Sequence, residues 1–400
     1  MIIKSRLFTP GPTPLLPAGQ LAMAGATMHH RTAEFRALYS KVLADLKTFV
    51  GTSNDVVMFT ASGTGAMEAA VSNLTSPGDK VLVLSAGKFG ERWESLAKTY
   101  GCQVDAVRAP YGQTVTPAQV KERLSSAHVA LYMQATESST GVRHDVEGIA
   151  RLLKHTNTLL VVDAITGLGT TNFDVDGWGV DVIIGGSQKA VMIPPGLAYC
   201  AVSERAWQRM ESSKNPRYYF DLRKERKNGA KGESSYTPST ALVAALNAAM
   251  DYLREQGGGD LAKGRDLLIR NAEIAAAMTR AAAQALRLKL FSVESPGAAL
   301  TAIASPNGMD SGDIAKALRK RFGAIIANGQ GEMKGHLFRI AHIGLYDYLD
   351  TIAMIGALEH VLIDLGINIE LGAGLRAAQL VYAKMSAGKE VEPVLSTVSA

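Results

Sequence analysis

Lys189 follows an apolar run and two glycines, in VDVIIGGSQKAVMIPPG, with Ser187 and Gln188 just ahead of it. The glycines let backbone approach a bound group closely. The apolar neighbours favour the uncharged amine, and covalent chemistry on a carbonyl requires a neutral amine. Asp163 ends a second apolar run, in LLVVDAITGLGTT, where a carboxylate is costly without a positive partner. A helix cap or a bond to loop amides would account for Asp163 alone. Beside Lys189 it suggests a protonated pyridine nitrogen, because a carboxylate that keeps that nitrogen protonated turns the ring into an electron sink.

Weaker signals cluster around these two. MFTASGTGAMEAAVSNL sets Ser62, Gly63 and Thr64 between a strand and a helix former. Amides at such a helix N-terminus suit a phosphate, although glycine-rich turns also serve packing. In SAGKFGERW, Phe89 offers a flat face for stacking on a ring, or simply fills core. QATESSTGVRHD gathers Glu137, Ser138, Ser139 and Thr140 into one loop, which would either bond a ring hydroxyl or form an ordinary polar turn. HLFRIAHIG places Arg339 and His342 in a strand, where a guanidinium needs an anion: a substrate carboxylate or a structural ion pair. His29, His30 and Arg31 either line a site or sit on the surface.

The elements that must position these residues are legible as period changes. VVMFT, KVLVLS, QVDAVRA, VALYMQ, LLVVDA and VDVIIGG alternate with helical stretches such as GAMEAAVSNL and HDVEGIARLLKH. That alternation predicts a mostly parallel sheet with helices on both faces, and sites at the strands' carboxyl ends. After TALVAALNAAMDYLRE, three glycines at 257–259 predict a domain boundary. Beyond them, LKLFSVES, ALTAIAS and HLFRIAHIG read as strands, with helices in DLAKGRDLLIRNAEIAAAMTRAAAQAL, DIAKALRKRF and TIAMIGALEHVLIDLG. The expected division is a segment 1–20, a large domain 21–256, a smaller α/β domain 257–368, and an appended helix with a frayed tail over 369–400.

Composition narrows the class. The chain has 400 residues, 47% hydrophobic and 20% charged, enough for a sizeable core in two domains. Neither a secretory leader nor a bilayer-spanning run is expected, and two cysteines form no disulfide framework, so a cytoplasmic, metal-free protein is expected. The net charge of +5 concentrates in residues 214–233, with seven Lys or Arg against three acids. That stretch reads as a solvated, mobile connection, or else as a cationic rim for acidic substrates, rather than as a nucleic-acid surface.

Taken in order, TPGPTP, HHRTAEF, ASGTGAMEA, ESSTGV, VVDAITGLG, GSQKA, PPG, YYFDL and FRIAHIG resemble the class V aminotransferases. That group contains alanine:glyoxylate, serine:glyoxylate, serine:pyruvate and some aspartate aminotransferases. The resemblance spans nearly the whole chain before the tail. It implies pyridoxal phosphate as cofactor and the type I pyridoxal phosphate-dependent transferase fold, a large domain with a mostly parallel sheet plus a smaller C-terminal α/β domain. It implies an obligate homodimer whose sites lie at the subunit interface. Lys189 would hold the cofactor as a Schiff base, Asp163 would contact the pyridine nitrogen and Phe89 would stack on the ring. Ser62, Gly63, Thr64 and Gln188 would hold the phosphate, and Ser138 would sit near the ring. Gly11 and Arg339 would meet the substrate. SSYTPST would reach the other subunit's phosphate through Thr237, and Tyr236 is the candidate substitute for a family tyrosine whose place Ser234 takes. The stacking position, often tryptophan in the alanine:glyoxylate enzymes, is Phe89 here.

The reaction implied is a ping-pong transfer from a small amino acid such as alanine or serine to glyoxylate or pyruvate, with aspartate the alternative donor. Cysteine desulfurases share the fold, but they carry a histidine immediately before the lysine and a nucleophilic cysteine in a C-terminal-domain loop. This chain has Gln188, and its cysteines are Cys102 and Cys200. A non-catalytic scaffold would have no need to keep both Lys189 and Asp163.

Overall fold

A computed structural model describes residues 2–389. Its strands are β1 Arg6–Phe8, β2 Asp55–Phe59, β3 Lys80–Ser85, β4 Gln103–Arg108, β5 His128–Gln134, β6 Thr136–Glu137, β7 Val142–Arg143, β8 Leu159–Asp163, β9 Val182–Gly186, β10 Ala198–Val202, β11 Leu300–Ala304, β12 Ala324–Asn328 and β13 Leu337–Ala341. Seven of them form one sheet in the order β2-β10-β9-β8-β5-β3-β4. Pairs β3/β4, β3/β5, β5/β8 and β8/β9 are parallel, and β10 runs antiparallel to both its neighbours.

The apolar runs are continuous because both faces of this sheet are covered. Side chains alternate across a strand, so β8 sends Leu160 and Val162 into one core and Leu159 and Val161 into the other. Helix Gly63–Leu74 packs on the second face through Ala66, Met67 and Val71, joined by Trp93 of helix Lys88–Thr99. Helices Ala33–Val50 and Thr240–Gln256 cover the first face.

A four-stranded sheet, β1-β12-β13-β11, carries Arg339. Its first member comes from the N-terminus: Arg6 pairs with Ala324 in parallel. The sequence pattern did not suggest β1, β10 or β12, each of five residues or fewer. LKLFSVES, read as a strand, forms only an isolated bridge between Leu290 and Ile303. Pro296 and Gly297 follow it at once, so the backbone turns away before a ladder can extend.

Residues 214–233 are more ordered than a mobile connection. Leu222–Gly229 is a helix whose N-cap Asp221 accepts from the amides of Arg223 and Lys224, and it buries Leu222. Arg226 pairs with Asp55 and Glu204, and Glu225 accepts from the Ser235 amide. Much of the charge is thus engaged within the fold. Helix Ala373–Ser386, expected as an appendage, docks on helix Leu261–Ala285 through Met278, Ala282, Ala378 and Val381. The fully buried Glu359 carboxylate accepts from the amides of Gly372 and Leu375 at 2.8 and 3.0 Å, satisfying first-turn donors from outside that helix. The tail after Lys389 lies outside the described residues.

Candidate active site

The carboxyl ends of β2, β5, β8 and β9 open on a cavity of about 310 Å³. It is lined by Ser62, Gly63 and Thr64 from the turn after β2, Asp163 at the end of β8, and Gln188 and Lys189 after β9. Gly11, Phe89 and Arg92 complete much of the wall, with Thr136, Ile165 and Thr166 nearby.

Hydrogen bonds from within the loop and from the N-terminal segment fix the lysine loop. The Ser187 hydroxyl donates to Pro194 O at 2.7 Å and accepts from the Leu197 amide at 3.1 Å, closing the loop before β10. The N-terminal segment then clamps it: Thr13 Oγ1 donates to Lys189 O at 3.0 Å, and the Leu16 amide donates to Met192 O at 2.8 Å. Lys189 Nζ donates to Pro10 O. Gly11 has φ +133°, and a Cβ there would lie 2.6 Å from Lys189 Nζ, so only glycine lets the segment pass this close to the amine. Burial pulls the Lys189 amine down to about 8 against the opposing pull of Asp163, and the charges of Arg339 and Arg92 lower it further.

Asp163 is buried and accepts one bond, from the Ile165 amide at 2.9 Å. Burial pushes its carboxyl up to about 6, and the nearby Glu137 adds to the push. Glu137 is buried too but fully engaged. Its carboxylate accepts from the amides of Phe89, Gly90 and Ser139 at 3.0, 3.2 and 3.1 Å, and from Ser139 Oγ at 2.5 Å. It thereby fixes the start of helix Lys88–Thr99 and with it Phe89. Glu137 works on the scaffold, not on a ring hydroxyl.

Arg339 lies just behind this wall. Its Nη1 donates to Ser138 O at 2.7 Å, while Nε and Nη2 donate to Asn328 O at 3.2 and 2.5 Å. Both acceptors are neutral carbonyls, and burial pulls the guanidinium down to about 10. Ser138 enters through its backbone oxygen. His342 contacts Thr301 Oγ1 at 2.9 Å in the core of the small sheet, and burial drives its imidazole down to about 3. His29, His30 and Arg31 stand outside the cavity, Arg31 pairing with Glu233 at 2.7 Å. Tyr236 and Thr237 line a separate cleft with Tyr39, Thr60 and Glu225, where Tyr236 stacks on Tyr219 at 5.1 Å. A single chain therefore does not bring them to Lys189.

Arg92 was missed by sequence reasoning. In the amphipathic pattern ERWESLAK its charge looks like part of a solvated face, and only the fold turns it inward.

These residues fit pyridoxal phosphate. Asp163 offers a buried carboxylate with little bound to it, where a ring cation would be held. Gln188 Oε1 is buried without a partner. Helix Gly63–Leu74 begins at the cavity with no capping bond from Ser62 and no acid in its first turn, leaving amides for a phosphate. A Cβ at Gly63 would lie 2.3 Å from Ile165 Cδ1, so glycine keeps that cradle open. When bound, the cofactor supplies an aldehyde for condensation with amines and a pyridinium that takes up electrons from the substrate's α carbon.

Such a site defines an enzyme that works on amines through pyridoxal phosphate, and comparison with known proteins narrows it. Residues 19–338 match the family Aminotransferase class-V, and the chain belongs to that family. It is a pyridoxal phosphate-dependent aminotransferase. It is 39% identical over 386 residues to the soluble hydrogenase 42 kDa subunit of Anabaena cylindrica, covering 95% of this chain and 99% of the other. Two further relatives are the L-aspartate–glyoxylate aminotransferase of Paracoccus denitrificans (33%, covering 98% and 99%) and the serine–glyoxylate aminotransferase of Methylorubrum extorquens (31%, covering 94% and 95%). The crystal structure of a subgroup IV aspartate aminotransferase from Thermus thermophilus superposes with a TM-score of 0.83 at 33% identity, covering 90% of this chain and 99% of that one. Among the described residues no group of three or more His, Cys, Asp or Glu is placed to hold a metal ion. No described helix is long and apolar enough to cross a membrane.

Proposed function

We propose that the protein moves an amino group from a small amino acid, alanine or serine, to glyoxylate or pyruvate by a ping-pong mechanism. The observation that carries this reading is the cavity at Lys189: at about 310 Å³ it must also take a pyridine ring and its phosphate, which favours a small substrate. Arg339, bound only to carbonyls, supplies the counter-charge for the substrate's α-carboxylate. Lys189 Nζ, uncharged above about pH 8, takes the proton from the α carbon and returns it. Asp163 holds a proton on the ring nitrogen, Phe89 stacks on the ring, and Ser62, Gly63, Thr64 and Gln188 grip the phosphate.

We also propose a homodimer in which the partner subunit's Thr237 and Tyr236 complete the phosphate site. The support is that both lie in a cleft away from Lys189 within one chain. The division at residue 257 is proposed from the helix break between Gln256 and Leu261. A cytoplasmic setting suits two free, buried cysteines.

Aspartate as donor is the second reading, supported by the names of the relatives from Paracoccus and Thermus. Steady-state rates with alanine, serine, glycine and aspartate against glyoxylate decide between them. A kcat/KM for aspartate above those for alanine and serine would reverse the assignment.

A further inference from the structure

Arg92 is a cavity residue to which the reaction scheme assigns no task. It sits in helix Lys88–Thr99, its guanidinium carbon 4.7 Å from the Phe89 ring centroid, and Nη1 donates to Thr64 Oγ1 at 3.0 Å. Among the described residues no carboxylate pairs with it. The acid of the cavity wall is Asp163, which is committed to Lys189 and the ring nitrogen. A guanidinium is permanently charged and presents its donors in a rigid plane, so stacking on Phe89 and one neutral partner leave most of that capacity unspent.

The direction in which Arg92 reaches identifies what it serves. Thr64 lies in the first turn of helix Gly63–Leu74, where free amides already favour an anion. Accepting from Arg92 leaves the Thr64 hydroxyl hydrogen free to donate. Three positive features thus converge on one place: a helix N-terminus, a hydroxyl donor and a guanidinium. A phosphate carries nearly two negative charges. Lys189 cannot be both the neutral amine of the reaction and the counter-charge to that phosphate, so Arg92 is the permanent cation of the cavity wall.

We propose that Arg92 anchors the cofactor's phosphate, acting with Thr64 and the helix N-terminus. The inference rests on assigning the phosphate to Ser62, Gly63, Thr64 and Gln188, and the test separates the two. Dissociation constants of pyridoxal phosphate, pyridoxal and inorganic phosphate are measured on cofactor-free native protein, Arg92→Gln, Arg92→Lys and Thr64→Val, with thermal midpoints to confirm folding. Arg92→Gln should weaken pyridoxal phosphate and inorganic phosphate about 10- to 100-fold and leave pyridoxal within about 2-fold, the range expected for a charged hydrogen bond. Arg92→Lys should recover part of the loss. Equal weakening of pyridoxal and pyridoxal phosphate would overturn the proposal, because Arg92 would then be acting through Phe89 on the ring. Unchanged cofactor affinity with a raised KM for aspartate would overturn it in favour of a grip on a second substrate carboxylate. If Thr64→Val were also without effect and native protein bound pyridoxal as tightly as pyridoxal phosphate, the phosphate assignment itself would fall.

Discussion

Two buried carboxylates stand side by side at the carboxyl end of the large sheet, and they are provisioned in opposite ways. Glu137, on the ribbon after β5, accepts four hydrogen bonds from the Phe89, Gly90 and Ser139 groups. Asp163, at the end of β8, accepts one. Both are pushed up by burial, but only Asp163 has acceptor capacity left facing the cavity. A saturated carboxylate is scaffold, whereas a buried one left under-bonded is a stored cost that persists because something else is bound there. The same contrast separates His342, bonded to Thr301 within the small sheet, from Arg339, a guanidinium bonded only to carbonyls.

The largest effect should come from the amine that shares the cavity with Asp163. Lys189→Ala should lower turnover by at least about 10⁴-fold, because covalent attachment and proton transfer fail together. The visible absorbance of the purified protein reads out the same loss, and a band that persists in the variant would remove Lys189 from the centre of the site.

Asp163→Asn should lower kcat on the order of 10³-fold, yet stabilise the cofactor-free protein. The sign follows from the raised pKa. Between pH 3.8 and about 6 the folded state holds a proton that the unfolded chain has released, so stability falls as pH rises through that window. Asparagine removes the penalty, worth ~3 kcal/mol above pH 6 and nothing below pH 4. Chemical denaturation of cofactor-free protein at pH 4, 6 and 8 measures it. A variant less stable than the native protein at pH 8 would show Asp163 to be satisfied as it stands.

Glu137→Gln should do the reverse. An amide presents N–H groups to backbone donors, so the fold should lose about 1–3 kcal/mol. Activity should fall only as far as Phe89 shifts, which urea midpoints and kcat report separately. A loss of kcat as large as that of Asp163→Asn, at unchanged stability, would give Glu137 a chemical role.

What the sequence made legible follows the same division. Lys189, Asp163 and the turn from Ser62 to Thr64 could be read because each ends an apolar run of the parallel sheet, where a polar side chain is out of place and open α/β folds bind ligands. The sheet itself was readable from continuous apolar runs, whereas β1 and β12 were not, since Arg6 finds Ala324 only in three dimensions. Arg92 stayed hidden in an amphipathic helix, and Glu137 looked like one member of a polar turn because two of the amides it caps, those of Phe89 and Gly90, belong to residues far away in sequence. The Gly11 passage over Lys189 carries no local signal beyond a Gly-Pro pair.

The finest test of the comparison is the titration of Lys189 in cofactor-free protein, followed by reductive methylation at that residue and peptide mass spectrometry. With the amine near 8, the rate should rise about 5-fold from pH 7 to 8 and less than about 2-fold from pH 8 to 9, whereas an ordinary lysine would gain nearly tenfold over each step. Asp163 pulls this pKa up, so Asp163→Asn should move the midpoint below 8. Glu137 is not among the groups that move it, and Glu137→Gln should leave the profile where it is. Equal displacement by both substitutions would mean that the two carboxylates share one field at the amine, and that their different bonding does not divide scaffold from chemistry.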